Sequence, residues 1–488
     1  MIGGRRPIKG RKPADRRVRV ERPHTAFFRY TGPGQLVAKP AASVPRSGFA
    51  RTMLRWKAWL IGRPLASEEE IGERLSKRLA LPIFSSDAIS SSAYATEEIL
   101  RVLVLAGAGA LLVSIEVAVA ISVLLAVVAI SYRQVCNAFP GGGGAYAVAR
   151  QELRPILGLI AAAALLIDYV MTVAVSTSSA MDQLISIMPG LELIRLETAV
   201  AVIAVITIAN LRGLRESGNI FAIPTYLFVG MALVIVASGM AHIATGTVVP
   251  MAHQSEAVPY GTQTLGLVLI LRAFASGSVA LTGVEAIANG VPAFKPPEAK
   301  NAGNTLLAMA ILLTIIFIGV TVVARAYDIV PSEALSGGPT VIALVAQTAF
   351  GTASPMFYIF QIATALILFL AANTSFNAFP RLAAILAADG YFPRQFSFRG
   401  DRLAYSWGII LLAVIAAVIY VVFKGNTSHL IPLYSVGVFV CFTLSQTGMV
   451  AHWFRGRPAG WRWRLAINAG GAVMTFVVLL IVLTEKFE

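Results

Sequence analysis

Three carboxylates lie where a carboxylate is expensive. Asp87, Asp168 and Glu285 each fall deep inside an apolar stretch. A charged side chain at the centre of a bilayer costs about 2.5–3.5 kcal/mol on insertion scales. Hydroxyls rather than bases surround these acids. Asp87 sits in Phe84-Ser85-Ser86-Asp87-Ala88-Ile89-Ser90-Ser91-Ser92-Ala93-Tyr94, and Glu285 ends Phe274-Ala275-Ser276-Gly277-Ser278-Val279-Ala280-Leu281-Thr282-Gly283-Val284-Glu285. Arg272, the nearest base to Glu285 in that stretch, is about three to four helical turns away. Asp168, Thr172, Ser176 and Ser179 fall within an arc of about 80° on a helix, with Tyr169 one residue around. An internal ion pair would explain any one of these acids. Hydrogen bonding between packed helices would explain Ser179 better than Asp168. Three acids without evident partners point instead to a cation or proton site. A dehydrated alkali ion takes several hard oxygens in place of its water shell. Asp87, Tyr94, Asp168, Thr172, Ser176 and Thr282 supply such oxygens.

These residues need a membrane scaffold. Of 488 residues, 57% are hydrophobic and only 13% charged, and mean hydropathy is +0.73. A soluble domain carries about 25% charged residues. The surplus of apolar side chains exceeds what a globular core holds, which excludes a soluble enzyme and a disordered chain. About eleven stretches are long enough to cross a bilayer as helices: 80–107, 110–132, 144–181, 194–211, 217–242, 262–293, 302–327, 353–387, 403–423, 429–452 and 464–484. The stretches at 144–181 and 353–387 exceed one bilayer and should tilt or protrude. A short helix is expected near 338–350, in an outer loop. The first and sixth stretches carry the Ser/Gly interruptions, five stretches apart. Paired breaks in two halves predict an inverted repeat with its site at mid-membrane. The expected fold is therefore an all-α membrane protein with a 5+5 repeat: repeat one at about 79–242, repeat two at about 262–452, and an extra helix at 464–484. Carbonyls freed at the breaks must find a ligand, water or neighbours. The alternative for the two patches is close helix packing by small residues.

Charge gives orientation and narrows function. Residues 1–60 hold fifteen Lys/Arg against Asp15 and Glu21, so most of the net +15 sits there. The segment 1–78 reads as a disordered basic cytoplasmic arm touching anionic lipid; no nucleic-acid partner is expected. With the N-terminus inside, the inner loops carry Arg133, Arg150, Arg212, Arg215, Lys295, Lys300, Arg381, Arg394, Arg399, Arg402 and Arg455–Arg464, a positive-inside pattern. The protein is thus expected in the plasma membrane with a cytoplasmic N-terminus. Cys136 and Cys441 are too few for a disulfide framework or zinc site. No phosphate-loop motif is present, so transport driven by ATP within this chain is excluded. Gly141–Gly144 reads as a tight cytoplasmic turn, and Glu97 with Arg101 as a helix-surface pair. Asp87 stands where a Gly-x-Gly run would aim half-helix N-termini at a substrate carboxylate. A cation or amine fits that break better than a zwitterion.

These motifs resemble the APC superfamily and, within it, the KUP/KimA-type potassium importers, over about residues 54–488. The similarity is carried by Leu60–Leu65 (Leu-Ile-Gly-Arg-Pro-Leu), Ser86–Glu98, Gly142–Tyr146, Asp168-Tyr169, Asn210–Gly213, Leu281–Ala286 and Pro432-Leu433-Tyr434. The resemblance implies a LeuT-like fold that imports potassium with protons as a homodimer, with no resident cofactor. It places the ion site on Asp87, Tyr94, Asp168, Tyr169, Thr172, Ser176, Thr282 and Tyr434. Potassium itself would contact Asp87, Tyr94, Thr172 and Thr282, and Glu285 or Asp168 would carry the proton. An amino-acid, amine or polyamine permease of the same superfamily is the alternative. The relatives have a twelfth span and a cytoplasmic C-terminal domain, whose absence here is expected to reflect truncation. They begin near Met53, so residues 1–52 are expected to precede the native start; intact residues 1–52 on N-terminal sequencing of native protein would contradict that.

Overall fold

Apolar stretches of this length satisfy their backbone in a bilayer as helices. The computed structural model of the chain is helical over most of the residues it describes, which are 28–32, 35–38, 52, 75–212, 218–250, 261–331, 339–400 and 405–484. Most of the basic segment 1–78, the Leu60–Leu65 motif included, lies outside the described residues. The chain divides into two compact units, residues 1–64 and 65–488. In the first, strands β1 (Phe28–Gly32) and β2 (Gln35–Ala38) pair antiparallel, where the sequence reading has a disordered arm. Phe28, Tyr30 and Val37 supply the aromatic and β-branched character that a pair of strands favours.

The second unit runs through α1 (Lys77–Ser90), α2 (Ala95–Leu103), α3 (Ser114–Ala138), α4 (Gly144–Val148), α5 (Pro155–Ile187), α6 (Arg195–Leu211), α7 (Gly218–Thr245), α8 (Leu267–Gly277), α9 (Val284–Asn289), α10 (Glu298–Ala326), α11 (Val341–Phe350), α12 (Pro355–Ala388), α13 (Ser406–Val422), α14 (Thr427–Gly456) and α15 (Trp461–Thr484). Among the described residues eight helical segments, not eleven, are long and apolar enough to cross a membrane. The other three stretches are helical but shorter. The first is divided between α1 and α2. Helices α6 and α13 run 17 residues each, about 25 Å against a hydrocarbon thickness of about 30 Å.

The stretch at 144–181 is not one long tilted helix. It is α4, a π-helical turn at Ala149–Leu153, then α5. Pro155 causes the separation: it pushes Arg154 into extended geometry and itself takes the first position of α5. Helix α12 starts the same way, with Pro355 at N1 and the Ser354 hydroxyl accepting from the Met356 N–H at 3.2 Å. Helix α5 is the axis of the site. It packs along α12 and α14, while α3 packs on α10 and α14 on α15. The short helix expected near 338–350 is α11.

The pair expected on a helix surface is internal. Glu97 and Glu98 are each 4% exposed, and Arg101 reaches both at 2.7 Å. Glu97 also accepts the Val341 N–H at 3.1 Å, which ties α2 to the start of α11. Arg101→Met leaves two buried carboxylates without their guanidinium. It is expected to cost about 3–5 kcal/mol, read as a lower melting temperature in detergent; an unchanged melting temperature would contradict it.

Candidate functional site

The serine run that breaks the first stretch satisfies its own backbone. Ser90, Ser91 and Ser92 donate their hydroxyls to the carbonyls of Asp87, Ala88 and Ile89 at 2.9, 2.6 and 2.7 Å. Such bonds weaken a helix by competing with its ladder, and the chain passes through a 3₁₀ turn at Ser91–Ala93 into Tyr94. The second break follows the same logic. Helix α8 tightens into a 3₁₀ turn at Ser278–Leu281, Thr282 is extended, and Gly283 takes φ +76° before α9 begins. The breaks face each other, with the Ser91 hydroxyl also donating to the Ala280 carbonyl at 3.1 Å. A Cβ on Gly283 would stand 2.9 Å from Asp87 Oδ2 and 2.5 Å from the Ala88 nitrogen. Glycine is required there both for its left-handed backbone and for this close approach.

Around the breaks the structure gathers most of the residues singled out in the sequence. Tyr94 lies within electrostatic reach of Asp87 and Asp168. Tyr434 of α14 closes the group, near Asp87, Asp168 and Tyr94. It accepts from the Thr172 hydroxyl at 3.1 Å, and Thr172 also bonds the Asp168 carbonyl one turn back at 2.9 Å. Ser176 follows on the same stripe of α5, 1% exposed. Asp87 Oδ1, Asp168 Oδ1 and the Thr282 hydroxyl are buried and without a hydrogen-bond partner among the described residues. Buried polar atoms are nearly always paired, so three orphaned oxygens in one place need an explanation. Two of them are carboxylate oxygens, whose burial without a partner is the costliest kind. The donor set is all oxygen and its formal charge is negative, which fits a hard cation.

Two candidates adjoin this cluster, within electrostatic reach of Asp168. Tyr169 accepts from Asn289 Nδ2 at 2.6 Å. Both line a cavity of about 560 Å³ bounded by Phe84, Gly141, Arg381 and Tyr405. Of the residues singled out in the sequence for the site, Tyr169, next in the chain to Asp168, lines this cavity. Glu285, in the first turn of α9, has its carboxylate taken up by a backbone donor: Ala145 N–H to Oε1 at 2.7 Å. The glycine run is therefore more than a turn. Gly144 takes φ +46°, and a Cβ there would stand 2.6 Å from Glu285 Oε1. The residue after Ala145 is Tyr146, whose hydroxyl donates to Asp389 Oδ2 at 2.6 Å; the same oxygen is paired with Arg150. The Tyr146 phenol is pushed up to about 12, first by burial and then by the Asp389 carboxylate. It stays a donor throughout the physiological range.

Sequence reasoning missed Ala145, Asn289 and Asp389. A backbone N–H leaves no trace in a sequence, though the run of glycines marks where a backbone can come close.

The sequence profile of the family described as Amino acid permease matches residues 80–485. The chain is 47% identical over 434 residues to a protein named Potassium transporter KimA from Bacillus subtilis (strain 168), covering 88% of this chain and 70% of that one. Among solved structures, a mutant of the Eremococcus coleocola manganese transporter matches at 13% identity and a TM-score of 0.44, covering 86% of this chain and 87% of that chain. The same transporter bound to an aromatic bis-isothiourea compound matches at 14% identity and a TM-score of 0.46, over 91% and 88% of the two chains.

Proposed function

Because this chain belongs to the amino acid permease family, we propose that its two helix breaks frame an ion site and that it imports potassium together with a proton. The observation that carries this reading is the set of orphaned buried oxygens on Asp87, Asp168 and Thr282. Asp87 neutralises the ion. Tyr94, Thr172, Thr282 and Tyr434 supply neutral oxygens, and Ser176 extends the polar stripe of α5 on the side from which the ion enters. Asp168, beside Asp87, belongs to the ion's surroundings. Glu285, whose carboxylate accepts from the Ala145 N–H, carries the proton.

Energetics favour a second coupled charge. Concentrating potassium a thousandfold costs about 4.1 kcal/mol at 25 °C. A membrane potential of about 100 mV supplies about 2.3 kcal/mol per charge. One charge falls short and two suffice. The reading includes a 5+5 inverted repeat spanning about 79–242 and 262–452, a plasma-membrane location with the N-terminus inside, and a homodimer. In that orientation the cavity beneath Tyr169 lies on the cytoplasmic side, with the basic residues Arg381 and Arg399, and is the ion's exit.

The second reading is an amine or amino-acid permease, favoured by the family's description; Asp87 would then hold an ammonium group. Competition separates the two. Rubidium uptake into a bacterium lacking its own potassium importers is expected to ignore amino acids and polyamines. Displacement of rubidium by either would favour the second reading.

Two graded outcomes follow. Tyr434→Phe removes one acceptor of the Thr172 hydroxyl and one ion oxygen, together about 1–2 kcal/mol. It is expected to raise the KM for rubidium about five- to thirtyfold; an unchanged KM would remove Tyr434 from the site. Glu285→Gln is expected to leave rubidium binding within threefold while abolishing the dependence of uptake on the pH gradient. Full proton-coupled uptake by Glu285→Gln would eliminate that residue as the carrier.

A further inference from the structure

We infer that Asp389 is a positioning residue for Glu285, acting through the short helix α4. This rests on the reading of Glu285 as the proton carrier. Helix α4 is only five residues long, and its two sides are committed to different partners. At its start, Ala145 N–H holds Glu285 Oε1. One residue later, Tyr146 turns to Asp389, and Arg150 a turn further on joins it. Beyond, in the π-helical turn, Glu152 pairs with His452 at 2.7 Å and Arg455 at 3.3 Å on α14. Glu285 and the end of α12 are thus joined by a strap one helical turn long.

Asp389 is the residue at the C-terminal cap of α12. That helix supplies Asn377, Arg381, Leu382 and Ile385 to the cavity wall. Any movement of α12 that widens or closes the cavity pulls on Asp389. Through Tyr146, it shifts the Ala145 N–H against Glu285. A carboxylate that keeps a donated N–H holds its charge, and one that loses it takes up a proton more readily. The strap therefore ties the width of the ion's exit to the protonation of Glu285. The titratable groups facing Glu285 are Tyr132 of α3, Asp168 and Tyr169 of α5, and Cys441 of α14. None of them belongs to the strap, so a disturbance at Asp389 reaches Glu285 through Ala145.

The test is the pH profile of rubidium uptake by the full chain in proteoliposomes. Asp389→Asn is expected to move the external pH of half-maximal uptake upward by about one unit, with the KM for rubidium within twofold. Tyr146→Phe, the milder change, is expected to move it in the same direction by less. Adding Asp389→Asn to Glu285→Gln is expected to add no further shift. Unshifted profiles in both single variants, or a shift that persists in the Glu285→Gln background, would overturn the positioning role. A KM rising in step with the pH midpoint would overturn it too. The underlying reading fails separately: Glu285→Gln with intact proton coupling refutes the carrier, whereas an uncoupled Glu285→Gln beside an unshifted Asp389→Asn refutes only the strap.

Discussion

Asp87→Asn is expected to reduce rubidium uptake at least about thirtyfold while the protein still inserts and elutes as the wild type does. The side chains differ by little in volume, so packing at the breaks survives. What changes is charge. Asp87 is 5% exposed, its Oδ1 has no hydrogen-bond partner among the described residues, and its Oδ2 is the atom against which Gly283 packs. A monovalent cation leaving water must find its countercharge in the site. Truncating one partner of a buried charge pair costs about 2–5 kcal/mol. At about 1.4 kcal/mol per decade, that spans roughly one and a half to three and a half decades in affinity. Asn also brings an NH₂ group, two donors where the ion needs an acceptor. Uptake within threefold of wild type would remove Asp87 from the site.

The second large effect is expected at Gly283, where no chemistry is lost. Gly283→Ala must place a Cβ 2.9 Å from Asp87 Oδ2 and 2.5 Å from the Ala88 nitrogen, on a backbone with φ +76°. The left-handed backbone alone costs about 1–2 kcal/mol. The contact forces the two breaks apart or turns the Asp87 carboxylate away. Uptake is expected to fall at least tenfold, with a lower melting temperature. Gly190→Ala is the matched control, because a Cβ there meets nothing within 4 Å; it is expected to leave both quantities unchanged. Normal uptake by Gly283→Ala would show that the breaks do not need their close approach.

Both residues stand in motifs that are legible in the sequence, and the reason is physical. An acid inside an apolar stretch is costly enough to be conspicuous, and Ser/Gly runs interrupting a helix are visible as composition. Hence residue type and position alone pick out Asp87, Asp168 and Glu285, and the breaks that carry the first and the last. The helical stretches are legible for the same reason, though not where a short-range effect intervenes. Pro155 divides the stretch at 144–181, and α6 and α13 run only 17 residues each. The expectation of freed carbonyls at the first break is also incomplete. Ser90, Ser91 and Ser92 occupy the very carbonyls their own disruption exposes. Glu97 and Arg101 have spacing that looks the same on a wet surface and in a buried seam. Only the packing of α11 against α2 decides between them. The partners of Tyr169 and Glu285, namely Asn289 and Ala145, are not legible because they come from elements whose placement is tertiary.

The most direct test is simultaneous measurement of rubidium entry and internal acidification in proteoliposomes holding the purified chain, under an imposed inside-negative potential. Rubidium uptake is expected to be accompanied by acidification, both lost in Asp87→Asn and neither altered by external amino acids. Rubidium entry that proceeds without acidification would contradict proton coupling. Absence of rubidium entry from well-folded protein that takes up an amine would contradict the ion site itself.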